Sequence, residues 1–136
     1  MNAELKSYIK ECDCPEIQNK WKPKVGDCCS AYQFTGINEE SSYYNPFLIT
    51  KIENDLIWLN KAETNPSAKS QFIFLPSLEQ LIEIMGKRFM VLEPDRRKGF
   101  LCWWKTINKI LLLRKWGKTP KLACIGAVKE IKTENK

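Results

Sequence analysis

Six cysteines are the side chains of this sequence with the widest chemical repertoire. They are Cys12, Cys14, Cys28, Cys29, Cys102 and Cys124, and the chain has no histidine. A structural zinc ion takes four Cys or His ligands, usually from Cys-x2-Cys pairs. The first four cysteines lack that spacing, and the neighbours Cys28 and Cys29 would point to opposite faces of a strand. Two interpretations stay open for these four, a zinc site or two packed and two half-exposed thiols, and we favour the second.

Enzymatic signatures are the next candidates, and the sequence offers little for them. Without histidine, every catalytic triad or dyad that depends on an imidazole is excluded, and no segment matches a phosphate-binding loop or a dinucleotide fingerprint. Asp95 and the later Glu130-Ile131-Lys132 loosely resemble the acidic pattern of metal-dependent nucleases. That pattern belongs on a central strand, whereas this stretch is predicted to end a helix. We therefore predict no catalytic residues and no cofactor, and keep a metal-dependent enzyme as the least favoured hypothesis.

Basic and aromatic residues are unevenly distributed along the chain. Residues 1–86 carry 8 Lys and 12 acidic residues, whereas residues 87–136 carry 14 Lys or Arg and 4 acidic residues. Basic groups neutralise phosphates, and exposed aromatic rings stack on bases. The candidate contact residues for nucleic acid or another partner are Arg96, Arg97, Lys98, Trp103, Lys105, Arg114, Lys115 and Trp116. The alternative interpretation is a solvated basic face that aids solubility.

Hydrophobic spacing predicts the elements of the N-terminal half. Residues 2–11 are predicted to be helical because Leu5, Tyr8 and Ile9 recur at helical spacing. Pro15 suits the start of a second short helix, which Pro23 is predicted to end. The predicted strands are residues 28–34, 47–52, 56–59 and 71–75, with polar connections at residues 35–42 and 60–70. Residues 47–52 and 56–59 are predicted to form a hairpin across the short polar connection at residues 53–55.

The C-terminal half carries the clearest helix signals. Ser77 and Gln80 form a capping box before an apolar stripe that ends at Gly86, and Thr119 begins the last helix. Residues 89–92 and 100–104 are predicted to pair across a basic turn, residues 94–99. Residues 106–116 fit a helix or a buried strand before a turn at residues 115–118, and we favour the strand. The fold class is therefore α+β, a small mostly antiparallel sheet with N-terminal, central and C-terminal helices.

Length and composition indicate one globular domain. The chain has 136 residues, 43% hydrophobic and 28% charged, so we predict a single domain over residues 1–136 with frayed ends. No stretch approaches the ~20 apolar residues that cross a bilayer, and the start lacks the pattern of a secretory signal. We therefore expect a cytoplasmic protein with reduced cysteines, in which Cys102 and Cys124 are core residues.

Three segments of the sequence together carry a family resemblance. They are Glu16-Ile17-Gln18 followed by Trp21-Lys22-Pro23 and Gly26-Asp27, then Leu75-Pro76 followed by Gln80-Leu81 and Met85, and the closing helix from Thr119-Pro120. In this order they resemble a family of small uncharacterised proteins encoded by bacteriophages and prophages. Phe74 stands where that family usually has Trp. The resemblance implies a phage or prophage origin and a bacterial cytoplasm, and it implies no activity.

Two functional hypotheses follow from these observations. The leading one is a non-catalytic phage or prophage accessory protein that binds an unidentified host or phage protein, with no membrane partner. The second is a nucleic-acid-binding module that uses the basic C-terminal half. Binding to nucleic acid would weaken steeply with salt, whereas binding to a host protein would tolerate it.

Overall fold

The described part of the chain comprises residues 2–33, 42–60, 66–106, 108 and 111–134 of a computed structural model. Its contacts divide it into an N-terminal unit, residues 1–75, and a C-terminal unit, residues 76–136. Each unit combines helices with antiparallel strands, which confirms the α+β prediction. The single domain over residues 1–136 stays a prediction. None of the helices in these described ranges is long and apolar enough to cross a bilayer.

The N-terminal unit begins with two helices, α1 (Ala3–Cys12) and α2 (Pro15–Gln18). Asn2 caps α1, because its Oδ1 accepts a hydrogen bond of 2.7 Å from the Leu5 amide. The predicted end of the second helix at Pro23 is wrong, since the helix already ends at Gln18. Residues 19–20 form a turn and residues 21–24 have no regular structure, and a proline disfavours the helical conformation of the residue before it.

Seven strands complete the N-terminal unit in its described part. They are β1 (Cys28–Ser30), β2 (Tyr32–Gln33), β3 (Ser42–Tyr43), β4 (Phe47–Glu53), β5 (Leu56–Leu59), β6 (Ser67–Ala68) and β7 (Ile73–Phe74). Five of them form a sheet in the order β6-β5-β4-β1-β7, while β2 pairs with β3. The predicted hairpin of β4 and β5 is confirmed. Its turn residues Asn54 and Asp55 have φ of 53° and 64°, the left-handed conformation of a tight hairpin turn.

Further predicted boundaries differ in this unit. The loop over residues 60–70 is wrong in its second half, because Ser67 and Ala68 pair with Ile57 and Leu56 of β5 and a 3-10 turn follows at Lys69–Gln71. Because of that turn, the strand that was predicted to begin at Gln71 begins at Ile73. The strand over residues 28–34 divides at Ala31, and its end at Phe34 lies outside the described residues, as do residues 35–41 and 61–65.

The C-terminal unit contains two α-helices, three strands and a 3-10 turn at Gly86–Arg88 within its described residues. The helices and strands are α3 (Leu78–Met85), β8 (Phe89–Pro94), β9 (Phe100–Lys105), β10 (Leu112–Gly117) and α4 (Pro120–Glu134). Ser77 and Gln80 form the predicted capping box, and Gly86 ends α3 with φ of 60°. The Thr119 hydroxyl accepts a hydrogen bond from the Leu122 amide, which confirms the cap of α4.

The three strands form an antiparallel sheet in the order β10-β9-β8, and α4 packs on β9, β10 and α3. Cys102, Trp104 and Cys124 are fully buried there, as predicted for the two cysteines. The strand interpretation of residues 106–116 is confirmed for Leu112 onward, and residues 107, 109 and 110 lie outside the described part. The turn predicted at residues 115–118 is wrong, because the ladder with β9 continues to Gly117 opposite Phe100.

Candidate functional site

A basic turn joins β8 to β9. The Lys98 amide donates to the Asp95 carbonyl at 3.1 Å, and the Asp95 amide donates to the Gly99 carbonyl at 2.9 Å. Lys98 and Gly99 adopt φ of 71° and 94°, which closes the turn tightly. The side chains of Arg96, Arg97 and Lys98 are exposed at its tip. The turn therefore concentrates three cations at one end of the sheet.

Successive side chains of β9 point to opposite faces of this sheet. Cys102 and Trp104 point toward α4 and are fully buried, so Leu101, Trp103 and Lys105 lie on the opposite face. The register places Trp103 beside Arg114 and Leu101 beside Trp116 of β10. We call this surface the open face. Its residues are Val91, Glu93, Leu101, Trp103, Lys105, Leu112, Arg114 and Trp116.

Trp103 is held at the middle of the open face. Its indole Nε1 donates a hydrogen bond of 2.9 Å to Glu93 Oε1 on β8. On the other side, the guanidinium carbon of Arg114 lies 5.4 Å from the centroid of the indole ring, within the range of a cation–π contact. These two contacts fix the ring between a cation and a carboxylate on a surface that solvent reaches.

Trp116 is the more accessible of the two indoles, with 51% of its surface exposed. Its Nε1 donates a hydrogen bond of 3.0 Å to the Lys98 carbonyl, which ties the ring to the basic turn. A Cβ atom at Gly99 would lie 2.6 Å from that Nε1 atom. Only glycine therefore permits this ring position. The sequence signalled a turn at Gly99, but its contact with a tryptophan of another strand leaves no local pattern.

A cavity of about 750 Å³ opens between the turn and the end of the open face. Its size suits a small ligand or one building block of a polymer. The residues that line it are Asp95, Arg96, Arg97, Leu101, Arg114 and Trp116. It thus combines cations, an aromatic ring, an apolar side chain and one carboxylate.

Lys115 is the one predicted contact residue that lies away from the open face. It pairs in register with Cys102, so its side chain is directed to the α4 side of the sheet. Its Nζ lies 3.0 Å from Glu130 Oε1 of α4, and its stem covers Gly126. The structure brings the other predicted residues, Arg96, Arg97, Lys98, Trp103, Lys105, Arg114 and Trp116, to the open face or to the turn at its end.

The cysteines do not assemble a metal site in the described part of the chain. No group of three or more Cys, Asp, Glu or His side chains that could hold an ion occurs among the described residues, and none of the six cysteines forms a disulfide. Cys12 and Cys29 are buried, while Cys14 and Cys28 are half-buried. Burial, with the nearby Cys28 and Asp27, raises the pKa of Cys29 to about 12, so this thiol is protonated at neutral pH.

Cys102 in the C-terminal unit is also held as a thiol. A hydrogen bond with Cys124, together with burial, raises the pKa of Cys102 above its ordinary value. The nuclease-like pattern is not formed on a central strand, because Glu130 and Lys132 lie on α4 and Glu130 is paired with Lys115.

Four residues of the resemblance pattern and its neighbourhood make structural contacts in the N-terminal unit. The Gln18 side chain pairs with the Phe74 backbone, since Phe74 N donates to Oε1 at 2.8 Å and Nε2 donates to Phe74 O at 3.0 Å. Asp27 Oδ2 accepts a hydrogen bond of 3.0 Å from Trp21 Nε1. The Trp21 and Phe74 rings stack with centroids 5.1 Å apart. These contacts give the pattern a structural explanation.

Comparisons of the chain with models of protein families, with curated proteins and with solved structures gave no match in any of the three.

Proposed function

We propose that the protein binds single-stranded nucleic acid on the open face of its C-terminal unit. The observation that carries this proposal is the position of Arg114, which lies opposite Trp103 in the register and two residues before Trp116 on the same side of the sheet. A cation beside two indoles on one face suits a strand whose phosphates and base faces alternate.

Electrostatics support a polyanionic ligand. Residues 76–136 carry 14 Lys or Arg and 6 acidic residues, a net charge of +8, whereas residues 1–75 carry 8 Lys and 10 acidic residues, a net charge of −2. The open face and its turn contribute Arg96, Arg97, Lys98, Lys105 and Arg114 to this charge. Neutralising phosphates with such groups releases counterions, which favours binding at low salt.

The aromatic rings favour a single strand over a duplex. An indole stacks on a base only when the face of that base is uncovered, as in unpaired strands, loops and ends. A strand of six residues such as β9 is about 20 Å long, so the open face offers room for a short run of nucleotides. A duplex could reach the cations but not the faces of the rings.

The test is titration of the protein with labelled single- and double-stranded oligonucleotides of DNA and RNA. We expect tighter binding to single strands, and about a 50-fold loss of affinity between about 50 and 200 mM salt if four cations contact phosphates. Replacing Arg96, Arg97 and Lys98 together with Ala should weaken binding and reduce the salt dependence. The matched control replaces Lys20, Lys22 and Lys24, three exposed lysines of the N-terminal unit, and should leave binding unchanged.

Absence of binding to any single strand at low salt would contradict the proposal. The hypothesis of a phage accessory protein with a host or phage protein as its partner stays a prediction. Salt-tolerant capture of one such protein, with no affinity for oligonucleotides, is the result that would favour it.

A further inference from the structure

Asp95 is an acidic residue in an otherwise basic cavity. It lines the cavity with Arg96, Arg97 and Arg114, yet its carboxylate makes no hydrogen bond or ion pair with any residue that the structure describes. The backbone of Asp95 is engaged in the turn, which leaves only the side chain available to a ligand. An unpaired carboxylate beside three arginines calls for an explanation in terms of what the cavity binds.

A phosphate is not the group that this carboxylate contacts, because like charges at short range repel. An ionised carboxylate only accepts hydrogen bonds, so its partner must carry N–H or O–H groups. Among the edges of the nucleobases, guanine offers two neighbouring donors, N1–H and the 2-amino group, which match the two carboxylate oxygens. Adenine and cytosine offer one amino group, and thymine and uracil offer one ring N–H.

The remaining lining of the cavity suits the other parts of a nucleotide. Trp116 offers a ring face for stacking. Its position is fixed by the hydrogen bond to the Lys98 carbonyl, and Gly99 leaves room for the ring because it has no side chain. Arg96, Arg97 and Arg114 offer fork-shaped donors for phosphate oxygens. Leu101 supplies an apolar wall for the base.

From this arrangement we infer that the cavity is a guanine subsite for one residue of a bound single strand, with Asp95 as the residue that determines the base. This inference rests on the proposed function. Asp95 accepts hydrogen bonds from the Watson–Crick edge of the base, Trp116 stacks on its face, and the arginines contact the adjacent phosphates. The rest of the strand follows the open face without base preference.

The experiment compares thymine oligonucleotides of about eight residues that carry guanine, hypoxanthine, adenine or cytosine at one central position. Guanine should bind about 5- to 150-fold more tightly than adenine or cytosine, and hypoxanthine, which lacks the 2-amino group, should lie between them. Asp95→Asn should abolish this preference while all-thymine binding is kept or strengthened, since one negative charge is removed. Asn is tolerated in turns, so this variant should fold.

Glu83→Gln is the matched control, because Glu83 is an exposed carboxylate on α3 of the same unit and lies neither on the open face nor in the lining of the cavity. It should keep the guanine preference. Equal affinity for all central bases, or a guanine preference that survives Asp95→Asn, would overturn the inference. The proposed function would remain intact in that case as long as the protein binds all-thymine strands in a salt-dependent way. If the native protein does not bind all-thymine strands at low salt, both the guanine subsite and the proposed function are contradicted.

One further arm separates a strand from a free nucleotide. Guanosine 5′-monophosphate should bind far more weakly than the guanine-containing oligonucleotide, because it makes none of the contacts along the open face. Equal affinity for the two would assign the cavity to a free nucleotide and overturn the assignment to a strand.

Discussion

At the scale of single residues, Gly99 sets the position of Trp116 by having no side chain. It has φ of 94°, and an added Cβ would lie 2.6 Å from Trp116 Nε1. Gly99→Ala should therefore displace the indole and weaken single-strand binding about as much as Trp116→Ala, by about 5- to 150-fold. Fluorescence titration with a labelled oligonucleotide measures this change.

Gly26 is the matched control for this substitution. It has φ of 96°, but nothing lies within 4 Å of the position of its Cβ. Gly26→Ala should cost about 1–2 kcal/mol of stability from the left-handed backbone alone and leave binding unchanged. Equal binding by the Gly99 and Gly26 variants would show that the position of Trp116 does not matter.

Cys29 makes the stability of the protein depend on alkaline pH. Burial raises its pKa from 9.0 to about 12, so the unfolded chain loses this proton before the folded chain does. The protonated Cys29 thiol contributes its full stabilisation below about pH 9. As the pH rises further toward 12, the free energy of unfolding should fall by up to ~1.4 kcal/mol per pH unit. Urea unfolding at several pH values should show a shallower decline for Cys29→Ala. Parallel curves for the two proteins would contradict the assignment.

At the scale of elements, Gln18 joins α2 to β7. Its amide makes three hydrogen bonds to backbone atoms, of 2.8 Å to Cys12 O, 3.0 Å to Phe74 O and 2.8 Å from Phe74 N. Gln18→Ala should lower the free energy of unfolding by about 2–3 kcal/mol, because these part-buried groups lose their partners. The exposed Gln71 provides the control, and Gln71→Ala should change stability by less than about 0.5 kcal/mol. Similar effects of the two substitutions would refute this role.

The elements that the sequence predicted well are those with local signals. The capping box of Ser77 and Gln80 and the turn at Asn54 and Asp55 both depend on residues a few positions apart. The extension of β10 to Gly117 and the pairing of β6 with β5 depend on partners elsewhere in the chain, so spacing alone did not reveal them.

In the candidate site too, local sequence signals were sufficient for some features, whereas others depend on partners elsewhere in the chain. Charge and aromatic content selected residues of β9, β10 and the turn before β9, but the face that each residue occupies depends on the register of β10 against β9. Arg114 and Lys115 are neighbours of like charge, and only the register places Arg114 beside Trp103 and Lys115 beside α4. Gly99 and the cavity position of Asp95 were missed for the same reason.

At the scale of the whole molecule, charge is segregated between the two units. The net charge is −2 for residues 1–75 and +8 for residues 76–136, so a polyanion should associate with the C-terminal unit alone. Within that unit, the buried Cys102 and Trp104 hold one side of the sheet against α4. The opposite side carries the accessible indoles, and we propose that this side is the one that binds nucleic acid.

The most direct test of that claim compares Arg114→Ala with Lys115→Ala in single-strand binding at about 50 and 200 mM salt. Each variant removes one cation from the same strand, and the two cations lie on opposite faces of the sheet. Arg114→Ala should lose about 10-fold or more in affinity and about 0.7 in the salt slope, whereas Lys115→Ala should stay within about 2-fold of the native protein. Equal losses from the two variants would contradict binding on the open face.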